Sequence, residues 1–181
     1  MALKATIFKA ELEVADIDRG YYASHALTLA RHPSETDERM MVRVLAFALH
    51  AHPDLAFGRG LSTEDEPDLW QKDLTGAIQL WVDVGLPDER AVRKACGRAE
   101  RVVVVSYGGR GSDVWWSQIA GKLDRLDNLT VIDLPAAGTQ AAAALAQRSM
   151  QLQCTIQEGQ LWLANGKEVV HIEPATLLAA G

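Results

Sequence analysis

Cysteine is almost missing from this chain of 181 residues: two occur, Cys96 and Cys154, far apart and outside any CxxC pairing. That excludes a disulfide framework and a cysteine-built zinc module, and fits reduced thiols in a cytoplasmic protein. Long apolar runs are missing too. No window approaches the ~18 apolar residues of a membrane span. Met1 to Val14 alternates polar and apolar residues where a secretory signal would carry an apolar block. Low-complexity tracts, internal repeats and a disordered linker are also lacking, so residues 1–181 read as a single domain. A basic excess is absent as well: the net charge of −6 argues against indiscriminate binding to nucleic acid.

The charge that is present is unevenly placed. Glu64, Asp65, Glu66, Asp68 and Asp73 gather around Lys72, whereas Arg90, Arg93, Lys94, Arg98, Arg101 and Arg110 follow with Glu100 alone among them. An acidic knot before a basic stretch has the makings of a metal beside a phosphate. Solvated faces produce the same pattern.

Residues 4–16 and 22–31 alternate β-prone side chains around an Asp18-Arg19-Gly20 turn, which predicts a hairpin. Ser34 with Asp37 three residues on predicts a capped helix over 35–50, with Met41, Val42, Leu45 and Leu49 on its buried stripe. A loop over 52–67 comes next. Two short strands are predicted at 68–72 and 77–84, around Leu74-Thr75-Gly76. Pro87 and the acids after it open a helix to 98. The valine run in 101–107 reads as a buried strand, 112–126 as a helix, 128–134 as a strand and 139–148 as a helix. The end, 152–173, reads as a hairpin turning at Asn165-Gly166. The fold class is therefore α/β, a mixed central sheet flanked by helices with β-hairpins added at both ends.

The central hairpin carries a geometric argument. A four-residue connection from Asp73 to Gly76 sets Asp68 opposite Trp81, and Asp83 shares Trp81's face by the period of two. Asp68 and Asp83 are then diagonal neighbours roughly 6–8 Å apart. Two carboxylates so placed repel unless a proton or a cation lies between them, and Mg²⁺ is the usual oxygen-ligated ion. One residue more or less in the loop would separate them onto opposite faces. The plainer alternative makes Asp83 a strand-end acid turned to solvent. Glu38 falls within about 60° of Met41, Val42 and Leu45 on the helical wheel, so it continues the buried stripe. Alternatively it serves the helix dipole as a first-turn acid.

The runs SETDERMMVRVLAFALHAH and FGRGLSTEDEPDLWQKDLTGAIQLWVDVGLPDERAVRKACGRA, then SYGGR followed by Trp115-Trp116, resemble the YaeQ family over nearly the whole chain. That resemblance implies a restriction-endonuclease-like core, a variant of the PD-(D/E)XK nucleases, with EPD and WVDVG standing where the nuclease motif would be. It implies a Mg²⁺-dependent phosphodiesterase acting on nucleic acid, with Glu38, Asp68 and Asp83 as metal ligands and Asp68 and Asp83 catalytic. It also implies a lysine two positions after the strand acid, where this sequence has Gly85. Lys94, one helix onward, is the candidate replacement, although Arg90, Lys94 and Arg98 also fit a solvated basic stripe. Arg59, Arg90 and Arg110 are candidate phosphate contacts. The alternative is a nuclease-like core without chemistry, serving as a binding module for nucleic acid or protein.

Other signals are weaker. Gly108 to Gly111 opens a helix after a strand, but the third position of a GxGxxG pattern is Val114, so Asp133 lacks the context of a ribose-binding acid. His50, His52 and Asp54 match no zinc spacing. Trp70, Trp81, Trp115 and Trp116 read as core or interface residues in preference to base-stacking platforms.

Overall fold

Alternation with a period of two dominates both ends of the chain, and both ends enter one sheet. The computed structural model of the protein describes residues 4–59 and 65–181, so Gly60 and Glu64 from the readings above lie outside the described residues. Strands β1 (Thr6–Asp16) and β2 (Tyr21–Arg31) pair antiparallel around the expected turn. The expectation of separate terminal hairpins is corrected: β8 (Ser149–Gln157) lies parallel to β1. With β9 (Gln160–Ala164) and β10 (Val169–Ile172) it completes a five-stranded sheet of order β10-β9-β8-β1-β2. The segment read as one hairpin holds three strands. Its first turn is Glu158-Gly159, with φ of +54° and +72°, as a tight mirror-image hairpin turn requires.

Contacts divide the chain into two compact units, Met1–Ala51 with Ala137–Pro174 and His52–Ala136 with Ala175–Gly181. The five-stranded sheet belongs to the first. One face is buried through residues such as Phe8, Leu12, Leu29, Leu152 and Leu163, while the other carries exposed Lys9, Glu11 and Glu13. Helix α1 (Asp37–Leu49) is capped by Thr36, whose side chain accepts from Arg39 N, and not by Ser34, which bonds His32 instead. Nor is its buried side a stripe: every residue from Met40 to Ala48 is buried, Arg43 included. Arg43 escapes the penalty of a lone buried charge through a two-pronged pair with Glu35, 2.6 and 3.0 Å, and a bond to Ala30 O. The last helix, α4 (Ala136–Ala143), is shorter and earlier than the alanine run suggests.

The second unit is a six-stranded sheet of order β11-β7-β6-β5-β4-β3. Its members are β3 (Leu55–Phe57), β4 (Leu69–Lys72), β5 (Ile78–Val84), β6 (Ala99–Tyr107), β7 (Leu129–Leu134) and β11 (Ala175–Leu178). Strand β3 occupies part of the stretch read as loop. Parallel neighbours β5, β6 and β7 are joined by α2 (Glu89–Arg98) and α3 (Arg110–Leu123), as parallel pairing demands. Asp88, rather than Pro87, starts α2, its side chain accepting from Ala91 N. Val92 and Ala95 of α2 and Ile119 and Leu123 of α3 pack on Trp81, Val102, Val104, Leu129 and Val131, with Trp70, Trp115 and Trp116 against the same cluster. Trp81 is thus part of the core, and the other three are partly buried against it. The fold is mixed α/β, two mixed sheets with four helices among the described residues. No helix of the described residues is long and apolar enough to cross a membrane.

Candidate metal and phosphate site

The β4–β5 ladder pairs Leu69 with Val82, Trp70 with Trp81 and Gln71 with Leu80. Continued one step beyond Leu69–Val82, that register would set Asp68 opposite Asp83 and put the two acids on one face. The register differs from the expected one by two residues, and two departures produce it. The turn is closed by Asp73 N to Ala77 O at 3.0 Å around a three-residue loop, Leu74 to Gly76, one shorter than assumed. The ladder then shifts between Gln71 and Lys72, leaving Gln79 as an extra residue in β5. A changed loop alone would have split the acids, and the bulge restores the parity. Directly opposed side chains have Cβ atoms about 5 Å apart.

Both carboxylates are withdrawn from solvent, Asp68 at 1% and Asp83 at 8% exposure. Asp68 Oδ2 accepts the Val84 backbone N–H at 2.8 Å, and Asp83 Oδ2 accepts the Trp81 indole N–H at 2.9 Å. Trp81 lies edge-on to Trp70, 6.2 Å between ring centroids. The face that carries the acids is the one covered by α2 and α3, since Asp83 stands beside Val104 of the helix-side core. Asp83 is one residue from the carboxyl end of β5, where ligand sites in parallel α/β sheets concentrate.

Gly85 follows with φ +118°, a conformation that residues with a Cβ rarely adopt, and its N–H bonds Val105 O at 2.9 Å. The backbone itself therefore disfavours the lysine that the resemblance leads one to expect there. Lys94 is half-exposed on α2 and lies 3.6 Å from Asp65 Oδ1; Arg98, one turn on, lies 3.7 Å from the same oxygen. The Arg98 guanidinium also sits 5.8 Å from the centre of the Trp81 ring. The resemblance had singled out Lys94, while periodicity placed it with Arg90 and Arg98 on a basic stripe. Its stacking on the tryptophan that holds Asp83 follows from their shared face, which no spacing rule reveals.

The remaining candidates are more dispersed. Glu38 belongs to the first unit, where its Oε2 accepts from Thr139 Oγ1 at 2.8 Å. Arg59 is exposed, its backbone N–H bonding Glu66 at 2.9 Å and its guanidinium 3.7 Å from the same carboxylate. Arg90 and Arg110 are exposed at the starts of α2 and α3. Asp133 is engaged by Ser106 Oγ at 2.8 Å and Ser112 Oγ at 2.5 Å, tying β7 to β6 and α3. His52 faces Asp54 at 3.9 Å, while His50 bonds Ala46 O. Among the described residues no group of three or more His, Cys, Asp and Glu side chains forms a metal-ligand set. Burial pushes the Cys96 thiol up to about 11 and the Cys154 thiol up to about 12, so neither is a nucleophile at neutral pH. A cavity of about 430 Å³ on the outer sheet face of the first unit is lined by Glu13, Ala15, Ser24, Gln153 and Thr155, without a catalytic grouping.

Fold and site together define a class: a mixed α/β protein of two sheets with an opposed, buried carboxylate pair near the carboxyl end of a central strand. A family model described as YaeQ protein matches residues 1–174, and the chain belongs to the YaeQ family. It is similar to the "Uncharacterized protein YaeQ" of Salmonella typhi, 46% identical over 96% of both chains, and to that of Escherichia coli strain K12, 45% identical over 95% of both. Among solved structures it resembles the YaeQ protein of Xanthomonas axonopodis pv. citri, with 51% identity and TM-score 0.93 over 97% of this chain and 99% of that one. It also resembles the YaeQ protein of Pseudomonas syringae, with 35% identity and TM-score 0.92 over 97% of each.

Proposed function

We propose that this protein is a Mg²⁺-dependent phosphodiesterase acting on nucleic acid, built on a variant of the restriction-endonuclease-like core with Asp68 and Asp83 as its metal ligands. The observation that carries the reading is two buried carboxylates at the end of one antiparallel ladder, Asp68 bonding the amide of Val84, the residue after Asp83. Each uses one oxygen on a neutral N–H donor, the Val84 amide or the Trp81 indole, which fixes its orientation.

The donor set suits magnesium, which keeps several waters and takes one or two carboxylates from the protein. A bound ion would supply Lewis-acid charge to a phosphoryl oxygen and lower the pKa of attacking water. This chain contributes orientation and counter-charge. Asp68 and Asp83 hold the ion's place at the strand end, and Trp81 keeps Asp83 from turning away. Lys94, Arg90, Arg59 and Arg110 offer positive charge to the phosphate backbone.

The test is cleavage of end-labelled DNA and RNA with Mg²⁺ or Mn²⁺, against an Asp68→Ala/Asp83→Ala control. Turnover above the control is expected on at least one polymer; none on either overturns the reading. Mg²⁺ at ten times its Kd would add about 1.4 kcal/mol, a rise of roughly 3–6 °C in Tm for a chain of this size. Asp83→Asn should abolish that rise. A second reading, a binding module without turnover, draws on Gly85: the position where the resemblance calls for lysine has a glycine backbone. Nucleic-acid binding with no Mg²⁺-dependent rise in Tm would favour it.

A further inference from the structure

Lys94 and Arg98 are four residues apart on α2, so they share a face and their like charges repel. Both reach the same oxygen of Asp65, at 3.6 and 3.7 Å, from the segment that leads into Asp68. Asp65 is 81% exposed on its side chain and the two cations are 39% and 40% exposed. Contacts this long and wet are weak: exposed ion pairs contribute about 0–1 kcal/mol and are screened by salt. Yet the placement is specific, because Arg98 stacks on Trp81 and Trp81 holds Asp83. The cation pair is one tryptophan ring away from the carboxylates, and its shared ligand is an oxyanion.

We infer that Lys94 and Arg98 form a binding site for a nucleic-acid phosphate and that Asp65 is its built-in competitor, an acidic latch displaced when a strand binds. The identity of the ligand rests on the function proposed above; the latch does not depend on the metal. A carboxylate bridging two cations carries the single negative charge of a phosphodiester and occupies the place an anionic phosphate oxygen would take. Its weak hold lets a polyanion replace it, since the polymer also gains from counterion release. The latch explains how an acidic chain can keep a phosphate site without binding every polyanion it meets.

The experiment measures binding of a fluorescein-labelled 20-nucleotide single-stranded DNA in EDTA, by anisotropy, at low and at physiological salt. Asp65→Asn should tighten binding about two- to fivefold at low salt, the range that one weak exposed ion pair spans, with a smaller gain as salt rises. Glu168→Gln, an equal change in net charge on an exposed residue of the first unit, should leave Kd unchanged. Lys94→Ala/Arg98→Ala placed in the Asp65→Asn background should erase the gain. Equal affinity of Asp65→Asn and Glu168→Gln overturns the latch, as does a gain that survives loss of both cations, or no binding by any variant. If instead Asp65 merely quiets a repulsive stripe, Asp65→Asn will lower Tm without changing Kd, which also overturns it. Because EDTA removes divalent ions, the result is read independently of the cleavage assay.

Discussion

Each of the two units buries carboxylates, and they do so in opposite ways. In the first, Glu35 is locked between two guanidinium groups, Arg43 at 2.6 and 3.0 Å and Arg39 at 2.6 Å, with Arg43 as enclosed as its partner. In the second, Asp68 and Asp83 face one another across a ladder, steadied by an amide and an indole. A carboxylate matched by guanidinium is a strut. Two buried acids brought together at one strand end are the kind of grouping that functional sites use.

The largest expected effect would break the strut. Arg43→Met removes the cation that Glu35 grips with both oxygens and leaves a buried charge served by Arg39 alone. A loss of about 3 kcal/mol or more is expected in urea denaturation. Glu35→Gln/Arg43→Met should recover part of that loss, since a buried amide costs less than a buried carboxylate short of its counter-charge, and the double-mutant cycle would give the coupling directly. Asp83→Asn, the parallel neutralisation in the second unit, should change stability by under about 1 kcal/mol in metal-free buffer, because Asn keeps an oxygen for Trp81 and removes one of two opposed charges. Comparable losses in both units would erase the distinction between strut and site.

Gly85 sharpens the same contrast from the backbone. A Cβ built there meets nothing within 4 Å, so space is no obstacle to a side chain. The obstacle is φ +118°. Gly85→Lys, which rewrites the position to match the nuclease motif, should therefore cost about 1–3 kcal/mol in urea denaturation. It should also leave Mg²⁺-dependent turnover at or below that of the parent chain. A stable Gly85→Lys protein with raised turnover would show that the second unit tolerates the ordinary motif.

How much of this could be read from the residues depended on the range of the interaction. Local signals were legible: the Asp18-Arg19-Gly20 turn, the strands of the central hairpin and the helix after Pro87 lie within a residue or two of expectation. Non-local pairing was not, so the parallel β1–β8 ladder that fuses the two ends went unforeseen. The enclosure of α1 was hidden because Glu35 and Arg43 look like solvent-facing residues until they are seen paired. The shared face of Asp68 and Asp83 was anticipated, but by a register that the structure does not use. A shorter loop and a bulge at Gln79 cancel, and neither leaves a mark in the sequence. Strand β3, three residues long, has too few positions to show a period.

The smallest effect concerns how the first unit treats a charge for which it provides no strut. His25 presents its ring edge-to-face to Phe47, centroids 4.9 Å apart, and shares a 2.9 Å hydrogen bond with the Tyr21 hydroxyl. Burial lowers its pKa from the ordinary value of 6.5, the reverse of what a carboxylate partner would do. The folded state then binds fewer protons than the unfolded chain near and below that value. The neutral ring's contribution is thus fully present above pH 6.5 and is lost as pH falls through 6.5 toward the lower folded value. The difference in urea midpoint between the parent and His25→Gln should shrink from pH 7.5 to pH 5.5, by less than either effect above. A difference that grows on acidification would mean that the imidazolium is stabilised in the fold, and that the first unit accepts a buried charge without an oppositely charged partner.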